Sequence, residues 1–314
     1  MNQSDKGIGS CHRHCGTSLP LCYIHAMRQY TLLRVAREGG LCTCTMHHKH
    51  PACVMTIPLF LELDQLIRAV DVDDAIQVFV LRSADPEFFI SHFDVTALLE
   101  QITQNKLQPI QPQSTLHGGL GPFHKMCQRL KKMNKVSIVE VAGRTGGGGC
   151  ELASCFDMRF GVDNKTILNQ MEVPLGILPG GSGTVSWPHL VGRSRALEVI
   201  LGGIDVSSSL AVEWGWLNRS FPTRSLMEQY VQRLASRIAS FPTLAVANAK
   251  RSIMQVEEEK SMEKALVGES YLFAELMNSA QTKARMELFL ERGGQTRQGE
   301  RRVAELLAPL PSKL

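Results

Sequence analysis

Val136-Ser137-Ile138-Val139-Glu140-Val141 is an apolar, β-branched run that breaks into Gly143-Arg144-Thr145-Gly146-Gly147-Gly148-Gly149-Cys150-Glu151-Leu152-Ala153. A short apolar run closed by consecutive glycines and resumed as a helical pattern reads as a buried strand, a tight turn and a helix N-terminus. The first turn of a helix leaves backbone N–H groups without intrahelical partners. Glycine has no Cβ, so an oxygen that gains negative charge during a reaction can approach those donors closely. Glu151 follows at once. A second carboxylate stands in Asn169-Gln170-Met171-Glu172-Val173-Pro174-Leu175-Gly176, ahead of another glycine turn, Pro179-Gly180-Gly181-Ser182-Gly183-Thr184. Backbone donors and two carboxylates make this stretch the candidate site.

The rest of the composition bounds what such a site can serve. The chain has 314 residues, 44% hydrophobic and 20% charged, which are globular values with material for a large core. The net charge of +4 is modest, and apart from Arg129-Leu130-Lys131-Lys132-Met133-Asn134-Lys135 the basic residues are dispersed. That run reads as a solvated segment, and nucleic acid is not an expected partner. No apolar stretch approaches the ~20 residues of a membrane span, and no secretory signal is recognisable. Nine cysteines, an odd number with Cys127, Cys150 and Cys155 in or near apparent core elements, suit reduced thiols of an intracellular protein. Ser312-Lys313-Leu314 at the C-terminus match the peroxisomal address read by an import receptor, so peroxisomal localisation is expected.

Along the chain, residues 1–26 lack any clear period. Cys11-His12-Arg13-His14-Cys15 do not have the paired spacing of a zinc module, so this part reads as a variable, disordered leader. From Tyr30 two strand patterns flank Gly39-Gly40 and predict a hairpin ending at Leu41-Cys42-Thr43-Cys44-Thr45-Met46. His47, His48 and His50 beside Cys42 and Cys44 invite a metal reading, but alternation puts both cysteines on one strand face, and a buried core role is expected. Thr56 and Pro58 open an amphipathic helix carrying Leu59, Leu63, Leu66, Ile67 and Val70. Gln77–Leu81 reads as a buried strand, Gln104–Gly121 as an irregular surface connection. Four helices follow the central stretch, at Arg193–Leu201, Ser207–Trp214, Met227–Ile238 and Leu244–Gln255.

The ordered series Gly147-Gly148-Gly149-Cys150-Glu151-Leu152-Ala153, Gln170-Met171-Glu172 and Gly176-Ile177-Leu178-Pro179-Gly180-Gly181 resembles the enoyl-CoA hydratase/isomerase, or crotonase, superfamily. The resemblance runs from about Tyr30 to Glu300 and includes Phe289-Leu290-Glu291-Arg292-Gly293-Gly294. It implies an α/β fold, a spiral of strand-strand-helix repeats with a C-terminal helical region that assembles trimers, often paired as hexamers. On that basis residues 27–225 would form the spiral core, 226–308 the helical region and 309–314 the targeting tail.

The resemblance also implies acyl-CoA thioester substrates, no separate cofactor because CoA belongs to the substrate, and no metal. Gly148 falls where the family supplies one oxyanion-hole N–H and Phe93, before Asp94, where it supplies the other. Glu151 and Glu172 match the two catalytic glutamates of the hydratases. The family commonly has glycine at the position of His92, a small residue at Phe93 and proline at Met171, differences that bear on the acyl pocket. The implied reaction is hydration of a 2-enoyl-CoA in peroxisomal fatty-acyl metabolism, or in a secondary-metabolite pathway such as those of fungal toxins. The alternatives are 3-enoyl to 2-enoyl isomerisation, for which one carboxylate suffices, and a catalytically silent acyl-CoA-binding subunit.

Overall fold

The computed structural model describes residues 30–104, 120–258 and 261–293, with 295, 296, 298 and 301. The expected leader at 1–26, most of the irregular connection and Ser312-Lys313-Leu314 lie outside the described residues.

Six strands, β1 (Leu33–Glu38), β2 (Leu41–Met46), β3 (Val78–Ser83), β4 (Val136–Val141), β6 (Met158–Val162) and β9 (Arg219–Phe221), form one sheet in the order β1-β2-β3-β4-β6-β9. Only β1 runs antiparallel to its neighbour. β5 (Arg144–Gly146), β7 (Ile167–Asn169) and β8 (Val206–Ser207) form a smaller sheet in the order β5-β7-β8.

The central strand shows why the sequence reads as it does. All six residues of β4 are buried, because a parallel strand flanked on both sides has a core on each face. Val136 and Ile138 join the apolar cluster that also holds Val80, Phe160, Met227 and Val231. Val139 and Val141 join the larger cluster with Leu63, Ile67, Cys150 and Trp187. Each fully buried Val or Ile side chain contributes roughly 1.5–3 kcal/mol.

The chain winds as a spiral in which a strand of the large sheet is followed by a short extended piece on the small-sheet side and then a helix. β2 is followed by Met55, which bridges Phe93, and by α1 (Ile57–Val72). β3 is followed by the 88–93 segment, where Phe88 bridges Arg144, and by α2 (Val95–Thr103) and α3 (Pro122–Lys132). β4 leads through β5 to α4 (Gly147–Ala153), and β6 through β7 and a 3₁₀ turn at Val173–Leu175 to α5 (Gly183–Val191). α6 (Arg193–Gly202) and α7 (Ser208–Glu213) close the spiral. α8 (Arg224–Ala239) packs on the large sheet, and α9 (Thr243–Glu258), α10 (Met262–Met277) and α11 (Ala280–Glu291) follow.

The hairpin and the first helix form as their residues dictate. Gly39 takes φ +55° at the turn, and Thr56 caps α1 by accepting from the Leu59 N–H at 3.4 Å. β1 begins at Leu33 rather than Tyr30 because the Glu62 carboxylate, not a ladder, accepts from the N–H groups of Thr31 and Leu32, each at 2.9 Å. Cys42 and Cys44 are fully buried on the same face of β2, as alternation predicts, and the six cysteines among the described residues are free thiols. β5 is an addition to the tight turn read from the sequence: three residues pair with Ile167–Asn169, a partnership with no local signature.

Glu140 is an ionisable side chain buried in β4. It faces Arg82 at 3.8 Å and lies beside Glu228 and Arg224, while its Oε2 makes no hydrogen bond among the described residues. Burial foremost, with Glu228 opposing Arg82, lifts it from the ordinary 4.5 to about 7. The folded state therefore binds more protons than the unfolded chain between those values. Stability from this group is full below pH ~4.5 and is lost as pH rises through ~7, a change of about 3 kcal/mol at most. Thermal melting followed from pH 5 to pH 8 is expected to fall, and Glu140→Gln to flatten the curve; an equally steep curve in the variant would assign the effect to other groups.

Candidate active site

The glycines after β4 exist because another piece of backbone passes against them. A Cβ on Gly149 would lie 2.3 Å from the Ile90 carbonyl oxygen, and one on Gly146 would lie 2.7 Å from that of Ser91. Extended segment 88–93 thus lies directly on the start of α4, tied down by Phe89 N–H to Arg144 O at 3.0 Å and Gly146 N–H to Ile90 O at 3.3 Å. On its other side, Met55 N–H donates to His92 O at 2.7 Å and Asp94 N–H to Met55 O at 3.2 Å. In that parallel pairing the intervening Phe93 N–H points away from Met55. It turns toward α4, where a Cβ on Gly148 would lie 3.6 Å from the Phe93 nitrogen and 3.2 Å from its Cβ. The Gly148 N–H, second in α4, precedes the first residue that an i→i−4 bond can reach. Two backbone donors from distant parts of the chain are brought together here.

The His92 ring braces this turn. Its Nδ1 lies 2.7 Å from Phe93 O, and since a carbonyl only accepts, Nδ1 carries the proton. A histidine at this position keeps the backbone donor and adds a ring that fixes it.

Both glutamates face the same place. Glu151, one turn into α4 and 4% exposed, accepts through Oε1 from Gly181 N–H at 2.7 Å and Gly183 N–H at 2.8 Å. Burial raises its pKa, and the two N–H bonds oppose the rise by favouring the carboxylate. Glu172, 7% exposed, ends the loop after β7, with Oε1 2.8 Å from the point where a Cβ on Gly147 would stand. Gly147 has φ +44°, so that position calls for glycine on both conformational and steric grounds. The Gln170 amide, assigned with its nitrogen toward Glu172, donates to Oε2 at 3.0 Å and accepts from Trp187 Nε1 at 2.9 Å. Burial first, then the nearby charge of Glu151, pushes Glu172 up to about 7. The N–H groups on Glu151 favour its charged form, and that charge in turn favours the protonated form of Glu172.

The four residues singled out from sequence, Phe93, Gly148, Glu151 and Glu172, are thus brought to one site. Sequence reasoning did not identify Gly181 and Gly183 as the clasp on Glu151, Gln170 as the partner of Glu172, or Phe123, whose ring borders the carboxylate. The glycine turn at 179–184 was a signal for the clasp; no local pattern signals the other two. Among the described residues, no cluster of histidine, cysteine and acidic side chains has the geometry of a metal site. His48 instead places Nε2 2.8 Å from Phe89 O.

The profile of the enoyl-CoA hydratase/isomerase family matches residues 36–299. The chain belongs to that family. Among its relatives, the short-chain-enoyl-CoA hydratase of Clostridium acetobutylicum is 27% identical over 82% of this chain and 93% of the relative. The 2,3-dehydroadipyl-CoA hydratase of Escherichia coli K12 is also 27% identical, over 83% of this chain and 96% of the relative. Among solved structures, the enoyl-CoA hydratase of Bacillus anthracis superposes with a TM-score of 0.72 at 22% identity, covering 83% of this chain and 97% of that one, which is agreement in fold. The spiral of this family member is therefore the crotonase fold.

Proposed function

We propose that this family member hydrates 2-enoyl-CoA thioesters to 3-hydroxyacyl-CoA. The observation that carries the reading is the placement of two buried carboxylates beside the paired N–H groups of Phe93 and Gly148. With the thioester carbonyl between those donors, the charge that develops on its oxygen as water adds is stabilised, and each such donor is typically worth ~3–4 kcal/mol of barrier. Glu151, held as the carboxylate by Gly181 and Gly183, takes a proton from the water, whose oxygen bonds to C3. Glu172 gives its proton to C2, so water adds across the double bond and the carboxyls exchange protonation states. Gln170 orients Glu172, and the chemistry draws on no cofactor beyond the CoA of the substrate. Incubating the protein with crotonyl-CoA tests the reading: absorbance of the conjugated thioester should disappear as 3-hydroxybutanoyl-CoA forms. Unchanged absorbance across a panel of enoyl-CoA thioesters would move the silent binding subunit ahead.

We further propose that the enzyme works in peroxisomal acyl-CoA metabolism, whether fatty-acid breakdown or a secondary-metabolite chain, on the strength of Ser312-Lys313-Leu314. A fluorescent fusion leaving that end free should be punctate, and deleting the tripeptide should release it to the cytosol; puncta that survive the deletion would refute the assignment. Assembly as a trimer or hexamer is part of the same reading. No residue of α10 or α11 is buried, and Met262, Leu266, Tyr271 and Phe273 of α10 are all more than half exposed, an apolar surface that a second copy would cover. A monomeric sedimentation mass would contradict it.

A further inference from the structure

We infer that Phe123 ends the acyl pocket and restricts this enzyme to short enoyl groups; the inference rests on the hydratase reading above and specifies its substrate class. Glu151 follows the donor Gly148 by three residues of α4, about 4.5 Å of helix rise. In the proposed hydration Glu151 activates the water that bonds to C3, so C3 and whatever is attached to it lie beside that carboxylate. Phe123 stands there. A Cβ on Gly181 would lie 2.6 Å from both Glu151 Oε2 and Phe123 Cε1, so the ring edge and the unclasped carboxylate oxygen are within about 5 Å of each other. The same point is occupied by neither, and Gly181 is what lets the two come so close.

The ring is backed by a second one. Phe123 is the second residue of α3, set directly after Pro122, and its ring stacks on Phe60 of α1 with centroids 6.1 Å apart and planes at 27°. Phe60 is itself 8% exposed and belongs to the main core. A chain that continued past C4 would have to displace a ring backed by a second buried ring.

The experiment compares kcat/KM for crotonyl-, hexenoyl-, decenoyl- and hexadecenoyl-CoA in the wild type, Phe123→Ala, Phe123→Leu and Phe60→Ala. The wild type should favour crotonyl-CoA over decenoyl-CoA. Phe123→Ala should move that ratio toward decenoyl-CoA by about 10–100-fold, in the range that pocket methylenes command. Phe123→Leu, which keeps an apolar side chain on the core, and Phe60→Ala should move it in the same direction by less. A wild type that hydrates decenoyl-CoA as well as crotonyl-CoA, or a ratio unchanged in folded Phe123→Leu and Phe123→Ala, would overturn the inference. If no thioester is hydrated, the hydratase reading fails separately, and calorimetric binding of butanoyl- against decanoyl-CoA still decides the pocket. Tighter decanoyl-CoA binding by the wild type overturns it; decanoyl-CoA binding gained only on Phe123→Ala upholds it.

Discussion

Glu151→Gln and Glu172→Gln are each expected to slow hydration of crotonyl-CoA by roughly 10²–10⁴-fold, the range for a positioned acid or base. A glutamine at 151 still presents an amide oxygen to the Gly181 and Gly183 N–H groups, which now hold Oε1 at 2.7 and 2.8 Å, so the clasp and the fold survive while the base is lost. At 172 the substitution removes the proton carried near neutrality. The double variant should be little slower than either single one, because two groups that activate one water act as a unit. Steady-state assays with saturating thioester, accompanied by melting curves, check this. Both variants should melt no earlier than the wild type at pH 8, since each removes a buried charge. An isomerase predicts a different split, in which Glu172→Gln abolishes double-bond migration from a 3-enoyl-CoA and Glu151→Gln leaves it largely intact. With Glu172 as the acid at about 7, wild-type hydration should decline as pH rises through that value, where the proton is lost. If neither substitution slows turnover, the chemistry lies elsewhere.

Gly149→Ala is the substitution expected to damage both the fold and the reaction without touching either carboxylate. The new methyl would sit 2.3 Å from Ile90 O and 2.7 Å from Ile90 Cβ, a clash that neither α4 nor the 88–93 segment can absorb by a rotamer change. The segment must move, and Ile90 O would then give up Gly146 N–H at 3.3 Å and the Thr145 hydroxyl at 3.0 Å. Overpacking of this kind costs about 1–3 kcal/mol, or more where backbone is the obstacle. Displacing the Phe93 N–H from Gly148 should cost a further ~10²–10³-fold in kcat, the usual effect of one missing donor. Denaturant melts and turnover measured on the same preparation separate the two effects. A variant with wild-type stability and rate would mean that segment 88–93 is not seated on α4.

Much of this was legible because it depends on near neighbours in the chain. The β-branched run of β4, the Gly147–Gly149 turn, the Thr56–Pro58 helix start and the Glu151 helix announce themselves through backbone preference and spacing, which act over a few residues. The ordered series of motifs then placed Phe93, Gly148, Glu151 and Glu172 in a family whose architecture the chain shares. What only the tertiary structure decided depends on groups far apart in sequence. The clasp of Gly181 and Gly183 on Glu151 joins positions 30 and 32 residues apart. β5 forms only because Ile167–Asn169 comes alongside. Phe123 reads locally as an ordinary apolar residue of an amphipathic helix, and borders the carboxylate only when α3 docks on α1. How the two glutamates differ was likewise beyond the sequence, since both are the same residue type. Glu151 receives the N–H groups of Gly181 and Gly183 and Glu172 the Gln170 amide, and those partners are properties of the packed chain.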